Sequence, residues 1–286
     1  MISIKNTILT LLVLLASAAG AQTMQTDKKI MSEQIKNEGD VKVLLHTSMG
    51  DITLLLYGDT PRHTANFVKR VKAGDYDGVL FHRVINDFMI QTGDPTSKNA
   101  PKGKMLGAGD SGEQIEAEFL FPKYYHHRGA IAAARQGDNV NPERKSSGSQ
   151  FYIVTGRKFS PAQMDQMEHK AQMQHKQEVF DSLCKENRDS IMSLRRNRDQ
   201  AGLQALQEKL VKQTEELTAA DSVIYTPEMR DAYVNLGGAP HLDGQYTVYG
   251  KVLEGMDVVD KIEKAETDAH DRPVDDIKII SAKVIE

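Results

Sequence analysis

Between residues 157 and 237 the sequence turns abruptly to Gln, Met, Lys, Glu and Arg with almost no Gly or Pro, while strand-like stretches lie on both sides of it. The strand signals resume after this stretch without a new start. The two flanks must therefore close one core together, and residues 41–286 read as one β domain interrupted by an inserted helical segment over 157–237. Inside it, apolar residues recur at helical spacing: Met164, Met167 and Ala171, then Phe180, Leu183, Ile191 and Leu194, then Leu203, Leu206, Leu210 and Leu217. The spacing predicts two long helices broken at 197–202, an αα-hairpin. Polar His175, Asn187 and Thr214 fall on the same stripe, so the seam is too interrupted for a coiled coil.

At 286 residues the chain has ample length to bury a core. With 40% hydrophobic and 27% charged residues it has ordinary globular usage, which sets aside disordered, collagenous and polytopic membrane classes. Lys plus Arg number 36 against 40 for Asp plus Glu, so no global field exists to hold a polyanion, and nucleic acid is not an expected partner. The single cysteine, Cys184, excludes an internal disulfide framework and a cysteine-based zinc site. Near the N-terminus Lys5 precedes an apolar run over 8–19, and Ala19, Gly20 and Ala21 offer the small residues a signal peptidase reads. The run is shorter than the ~20 residues needed to span hydrocarbon. These features predict a signal peptide over 1–21, a flexible linker over 22–40 and an exported protein, periplasmic or otherwise extracytoplasmic. An uncleaved N-terminal membrane anchor is the alternative.

From residue 41 the reading is β. Apolar runs at 41–47 and 52–57 flank a short connection containing Gly50, a hairpin signal. A helix follows with both ends marked: Thr60 as cap, Pro61 at the first helical position and Gly74 past its end. Residues 79–85, 129–134, 150–155, 246–252 and 277–285 read as further strands, and 256–262 as a short helix.

The stretch FHRVINDFMIQTGD at 81–94 sets Arg83 on a strand close to Phe81, Phe88, Met89 and Gln91. A guanidinium among apolar groups is costly unless it meets a polar or charged ligand, so Arg83 is the first candidate for chemistry. A strand arginine snorkelling to water over a core of Phe81 and Phe88 fits the same residues.

This stretch resembles the FHRxxxxFMxQxGD signature of the cyclophilins. Four other segments are similar to the family in the same order: TPRHTANF at 60–67, GAIAAAR at 129–135, SGSQFYIV at 147–154 and LDGQYTVYGKV at 242–252. The resemblance implies a closed eight-stranded antiparallel barrel with capping helices, acting as a peptidyl-prolyl cis-trans isomerase that needs no cofactor and no metal. It implies that Arg83 donates to the prolyl nitrogen, that Phe88, Met89, Tyr152 and Leu242 line the proline pocket, and that Gln91 with the backbone around Ala134 and Arg135 holds substrate carbonyls. Three positions depart from well-known members: Tyr152 where Phe is usual, His241 where some have Trp, and Tyr246 where His is common. The hydroxyl of Tyr152 must find a partner if the pocket is dry.

Other signals are discounted. Residues 107–112 satisfy GxGxxG, yet no strand precedes them in a βαβ unit, so no nucleotide is expected. His126 and His127 with Glu116 and Glu118 match no metal-ligand spacing and read as loop histidines. His46 and His82 read as strand polar residues, because amide rotation transfers no proton. Expected partners are proline-containing unfolded or extended polypeptides. The helical segment leaves a rival reading open: a binding or holdase module that engages a protein partner through the helices, with weak or no isomerase activity.

Overall fold

In a computed structural model the residues described are 39–219 and 224–285. The expected signal peptide over 1–21 and nearly all of the linker over 22–40 lie outside them. Strands β1 (Val41–Thr47) and β2 (Gly50–Leu56) form the expected hairpin in unbroken register from Val41 opposite Leu56 to Thr47 opposite Gly50. Helix α1 (Pro61–Ala73) follows, closed by Gly74 at φ 71°, a left-handed conformation that glycine adopts without a side-chain penalty. Thr60 does not cap it as expected. Its Oγ1 instead donates to the carbonyl of Tyr57 at 3.1 Å.

Next come β3 (Arg83–Ile85), β4 (Met89–Thr92), β5 (Gln114–Ile115), β6 (Ala130–Ala133), β7 (Ser146–Ser147) and β8 (Phe151–Val154). Four helices then intervene: α2 (Pro161–Glu186), α3 (Arg188–Arg196), α4 (Gln200–Thr218) and α5 (Pro227–Asn235). The chain ends through β9 (Val248–Glu254), α6 (Met256–Glu263) and β10 (Ile279–Ile285). The break between α3 and α4 falls inside the expected 197–202, but the first long helix is also interrupted at Asn187, and α5 is an element the periodicity did not separate.

Eight strands form one antiparallel sheet in the order β10-β1-β2-β9-β6-β8-β4-β3. The expected closed barrel is corrected here. Residues 79–82 were expected to continue a strand into β3, but they are irregular, and β3 therefore stands at an open edge. Among the described residues the two edges meet through backbone bonds outside the regular ladder, Gly78 N–H to Ile279 O at 2.8 Å, Ile279 N–H to Val79 O at 2.9 Å and Phe81 N–H to Ile277 O at 2.8 Å, and an isolated bridge, Leu80 to Lys278. The architecture is an eight-stranded half-barrel with helices.

Alternation along the strands divides the apolar residues into two clusters. Leu45, Leu54, Ile90, Ile131, Phe151 and Ile153 fill the main core with Phe67 of α1 and Val259 and Ile262 of α6. Their chain neighbours Leu55, Met89, Ala132, Tyr152 and Val154 point to the opposite face. A third cluster, Phe159, Met164, Tyr225, Met229 and Tyr233, seats the base of the helical segment.

Candidate active site

Strands β3, β4 and β8 lie side by side, and their registers set Arg83 opposite Gln91 and Gln91 opposite Tyr152. Directly opposed residues leave the same face of a sheet with Cβ atoms ~4.5–5.5 Å apart. A guanidinium, an amide and a phenol thus form one row across three strands. The row opens on a cleft of about 320 Å³ whose walls include Arg83, Phe88, Met89, Gln91, Ala134, Arg135, Tyr152, Leu242 and Tyr246, so every residue nominated from the sequence is brought together. His82, Leu106, Gly107 and His270 complete the lining.

The floor is apolar. Met89 and Tyr152 are 2% and 5% exposed, and the ring of Phe88 lies 5.4 Å from that of His241 at the rim. Tyr246 stands edge-on to Tyr152 at 6.1 Å, with the Arg135 guanidinium 4.4 Å above its own ring. Burial pushes the Tyr152 phenol well above the ordinary tyrosine value, so it remains an O–H donor.

Arg83 departs from a dry guanidinium. Its side chain is 43% exposed, and its Nε lies 3.7 Å from Oδ2 of half-exposed Asp271. It stands on the edge strand, with β4 on one side and on the other the chain at Asp271, whose carbonyl accepts the Val84 N–H at 2.8 Å. Gln91 donates from Nε2 to Oε1 of Gln150 at 2.9 Å. Gln150 in turn donates to the carbonyls of Gly107, at 3.0 Å, and Gly109, which ties the amide in the row to the loop over the cleft. The backbone of Ala134 is largely committed: its N–H donates to Gln150 O at 3.0 Å and its carbonyl accepts from Ser147 N–H at 2.8 Å. Arg135 is held by Gln245 O at 2.9 Å and by Asp138 at 2.6 Å.

Three residues carry more than their sequence reading. His82 is not a strand surface residue; it lines the cleft at 4% exposure with both ring nitrogens unpartnered among the described residues. Burial holds its pKa below the usual histidine value. Alternation failed there because regular pairing starts only at Arg83. His126, read as a loop histidine, is fully buried beneath the floor, where its Nε2 meets the Tyr152 hydroxyl at 3.0 Å and its Nδ1 meets Oδ1 of Asp243 at 2.9 Å. Asp243 was quoted only as part of a motif. The signal for both was the unexplained hydroxyl at position 152, which required a partner. Glu118 does not approach His126; it accepts from Nδ1 of His63 at 2.6 Å.

The arrangement suits an apolar ring flanked by carbonyls, with a cation at its edge. In comparison with known proteins, the family model described as cyclophilin type peptidyl-prolyl cis-trans isomerase/CLD matches residues 42–203 and 230–284. A candidate peptidyl-prolyl cis-trans isomerase of Staphylococcus saprophyticus is 32% identical over 251 residues, covering 87% of this chain and 94% of that protein. One from Staphylococcus haemolyticus is 32% identical over 248 residues, covering 86% and 92%. Among solved structures, a crystal structure of a Cryptosporidium parvum cyclophilin type peptidyl-prolyl cis-trans isomerase aligns with TM-score 0.49 at 18% identity over 86% of this chain and 98% of that one.

Proposed function

The chain belongs to the cyclophilin-type peptidyl-prolyl cis-trans isomerases and is an isomerase, and from that premise we propose that it assists the folding of exported proteins by arginine-assisted rotation of X–Pro amides. The observation that carries the mechanism is the row of Arg83, Gln91 and Tyr152 along one cleft. An X–Pro amide resists rotation by ~18–20 kcal/mol because its nitrogen lone pair is shared with the carbonyl. In the twisted transition state that lone pair is localised, and the nitrogen accepts a hydrogen bond that it cannot accept when planar. A donor aimed there binds the transition state selectively. Arg83 stands at the rim of the apolar floor, and among the described residues it has a loose ion pair to Asp271 to give up. A bound peptide would cover its exposed side and strengthen its bonds by excluding water.

A rate gain of about 10⁵ needs roughly 7 kcal/mol, whereas a hydrogen bond to a charged group gives about 1.5–3. The remainder falls to the exclusion of water by the hollow of Phe88, Met89, Tyr152 and Leu242, which strengthens the bonds made there in the transition state, and to Gln91, which meets a flanking carbonyl; the grip on the proline ring itself is shared by ground and transition states. The export half of the reading rests on the basic and apolar run of the first 21 residues. Uncatalysed X–Pro isomerisation takes tens of seconds or more, slow enough to limit folding outside the cytoplasm.

The test is isomerisation of a proline-containing reporter peptide by the wild type and by Arg83→Ala. The expected loss in kcat/KM is about 10²–10³-fold, the usual effect of removing one transition-state donor; equal rates would remove Arg83 from the mechanism.

A second reading, partner binding by the helical segment, draws on one observation. A groove of about 1120 Å³ runs between α2, α3 and α4, walled in part by Phe180, Ile191, Leu203, Leu206 and Leu210. Suppression of aggregation of an unfolded client, measured with Arg83→Ala, separates this binding from catalysis.

A further inference from the structure

The hydroxyl of Tyr152 sits where an apolar floor has no use for it, and its partners form a chain that leaves the cleft. Tyr152 Oη meets His126 Nε2 at 3.0 Å. His126 Nδ1 meets Oδ1 of Asp243 at 2.9 Å, and the same oxygen accepts the His126 backbone N–H at 2.8 Å. The other oxygen, Oδ2, accepts from the Tyr233 hydroxyl at 2.6 Å. His126 and Tyr233 are 0% exposed and the Asp243 side chain 4%, so every link is shielded from water. A carboxylate at Nδ1 calls for a proton on that nitrogen, which leaves Nε2 bare to accept from the tyrosine. Burial keeps both phenols protonated, so the direction of donation is set from each end.

The two ends belong to different parts of the molecule. Tyr152 is on β8 at the floor of the cleft, and Tyr233 is on α5, the last helix of the segment between β8 and β9. Asp243 follows Leu242, which forms another wall of the same cleft.

We propose that His126, Asp243 and Tyr233 are positioning residues of the isomerase: they hold the Tyr152 ring, and so make the shape of the proline pocket depend on how α5 is seated. This rests on the proline-pocket reading of the cleft. None of the three touches substrate. Their effect passes through the orientation of Tyr152, and an isolated buried hydroxyl would otherwise be free to pull the ring toward another partner.

The experiment is a double-mutant cycle in the full chain. Tyr233→Phe removes one hydroxyl without changing shape, and Tyr152→Phe removes the group the chain serves. With a proline-containing reporter peptide, Tyr233→Phe is expected to lower kcat/KM about three- to ten-fold, the size typical of coupling within one network. The loss should be carried by KM, because the floor binds ground and transition states alike. In the Tyr152→Phe background the same substitution is expected to change nothing. An equal loss in both backgrounds, as a merely structural role would give, overturns the proposal, and so does no loss in the wild-type background. A second measurement needs no turnover. Nitrogen-15 spectra of the histidine side chains should show His126 protonated at Nδ1 and bare at Nε2; the opposite tautomer overturns the proposed direction of the chain. A wild type that leaves the peptide's rotation uncatalysed would sink the pocket reading instead, and the tautomer would still decide the chain.

Discussion

Asp94 has no exposed surface, and its donors explain how it keeps its charge. Oδ1 accepts from the N–H and hydroxyl of Thr96 at 2.8 and 2.7 Å, and Oδ2 from the N–H groups of Gly107 at 2.6 Å and Gly109 at 3.4 Å. Burial alone would raise its pKa, but the bonds from Thr96 and Gly107 outweigh it and hold the carboxyl below its ordinary 3.8. A depressed folded value means that Asp94 contributes stability above 3.8 and loses it as pH falls through the lower folded value. What loosens then is the 107–109 loop over the cleft. The Gly107 and Gly109 amide resonances are expected to titrate below 3.8, and a midpoint at or above 3.8 would refute the argument. Asp94→Asn should abolish that titration and cost about 1–3 kcal/mol in unfolding free energy, because an amide NH₂ must face one of the donors. The sequence placed Asp94 inside a signature without a role. A buried anion is legible only once the turn that surrounds it with N–H groups is known.

Three helices open on a hydroxyl residue followed by proline: Thr60 before α1, Ser160 before α2 and Thr226 before α5. The first was legible and the third was not, although its signal is the same. The apolar stripes end at Leu217, and reading the whole of 157–237 as one hairpin left the restart at Pro227 unseparated. The three caps also differ in what they do. Thr60 donates backward to Tyr57 O; Thr226 accepts the Met229 N–H at 3.3 Å; Ser160 makes a full capping box, accepting the Gln163 N–H while Gln163 accepts the Ser160 N–H. Ser160→Ala is therefore expected to cost about 1 kcal/mol and to speed amide exchange in the first turn of α2. Thr60→Ala should leave the first turn of α1 without a comparable change. Equal exchange effects at the two sites would show that residue type, and not the bond made, sets the cost. The open sheet edge was illegible for a related reason. Residues 79–85 alternate as a strand does, but whether a strand pairs on its far side depends on a segment almost 200 residues later, and local pattern carries no information about that partner.

At the scale of the molecule, among the described residues the helical segment is seated on the half-barrel at its base. Met164 of α2 packs with Phe159, Tyr225, Met229 and Tyr233, and Arg230 of α5 pairs with Asp165 and with Glu168, the latter at 2.8 Å. Beyond that base, α2 and α3 pack chiefly against α4. Leu210 of α4 is 2% exposed within that pairing, while Met173 and Leu217 are 54% and 60% exposed. The sequence reading has the flanks of this segment closing one core and a hairpin turn at 197–202, but it does not single out α5 as the anchor. That follows from Tyr233, whose ring fills the third cluster while its hydroxyl reaches Asp243 behind the cleft. Two consequences separate. Cutting the hairpin within α2 and α4, above Glu168, and joining the stumps with a short Gly/Ser linker removes side chains that touch neither the cleft nor the anchor. Peptide isomerisation is expected to stay within about two-fold of wild type, as additivity of distant sites requires. Tyr233→Phe introduced into that shortened chain should still raise KM as it does in the full one. If catalysis collapses on shortening while the base remains folded by amide exchange, the distal helices act on the cleft by a route other than Tyr233 and Asp243. Were the substitution silent only in the shortened chain, α5 would owe its seating to the distal pair, and the base could not be the anchor.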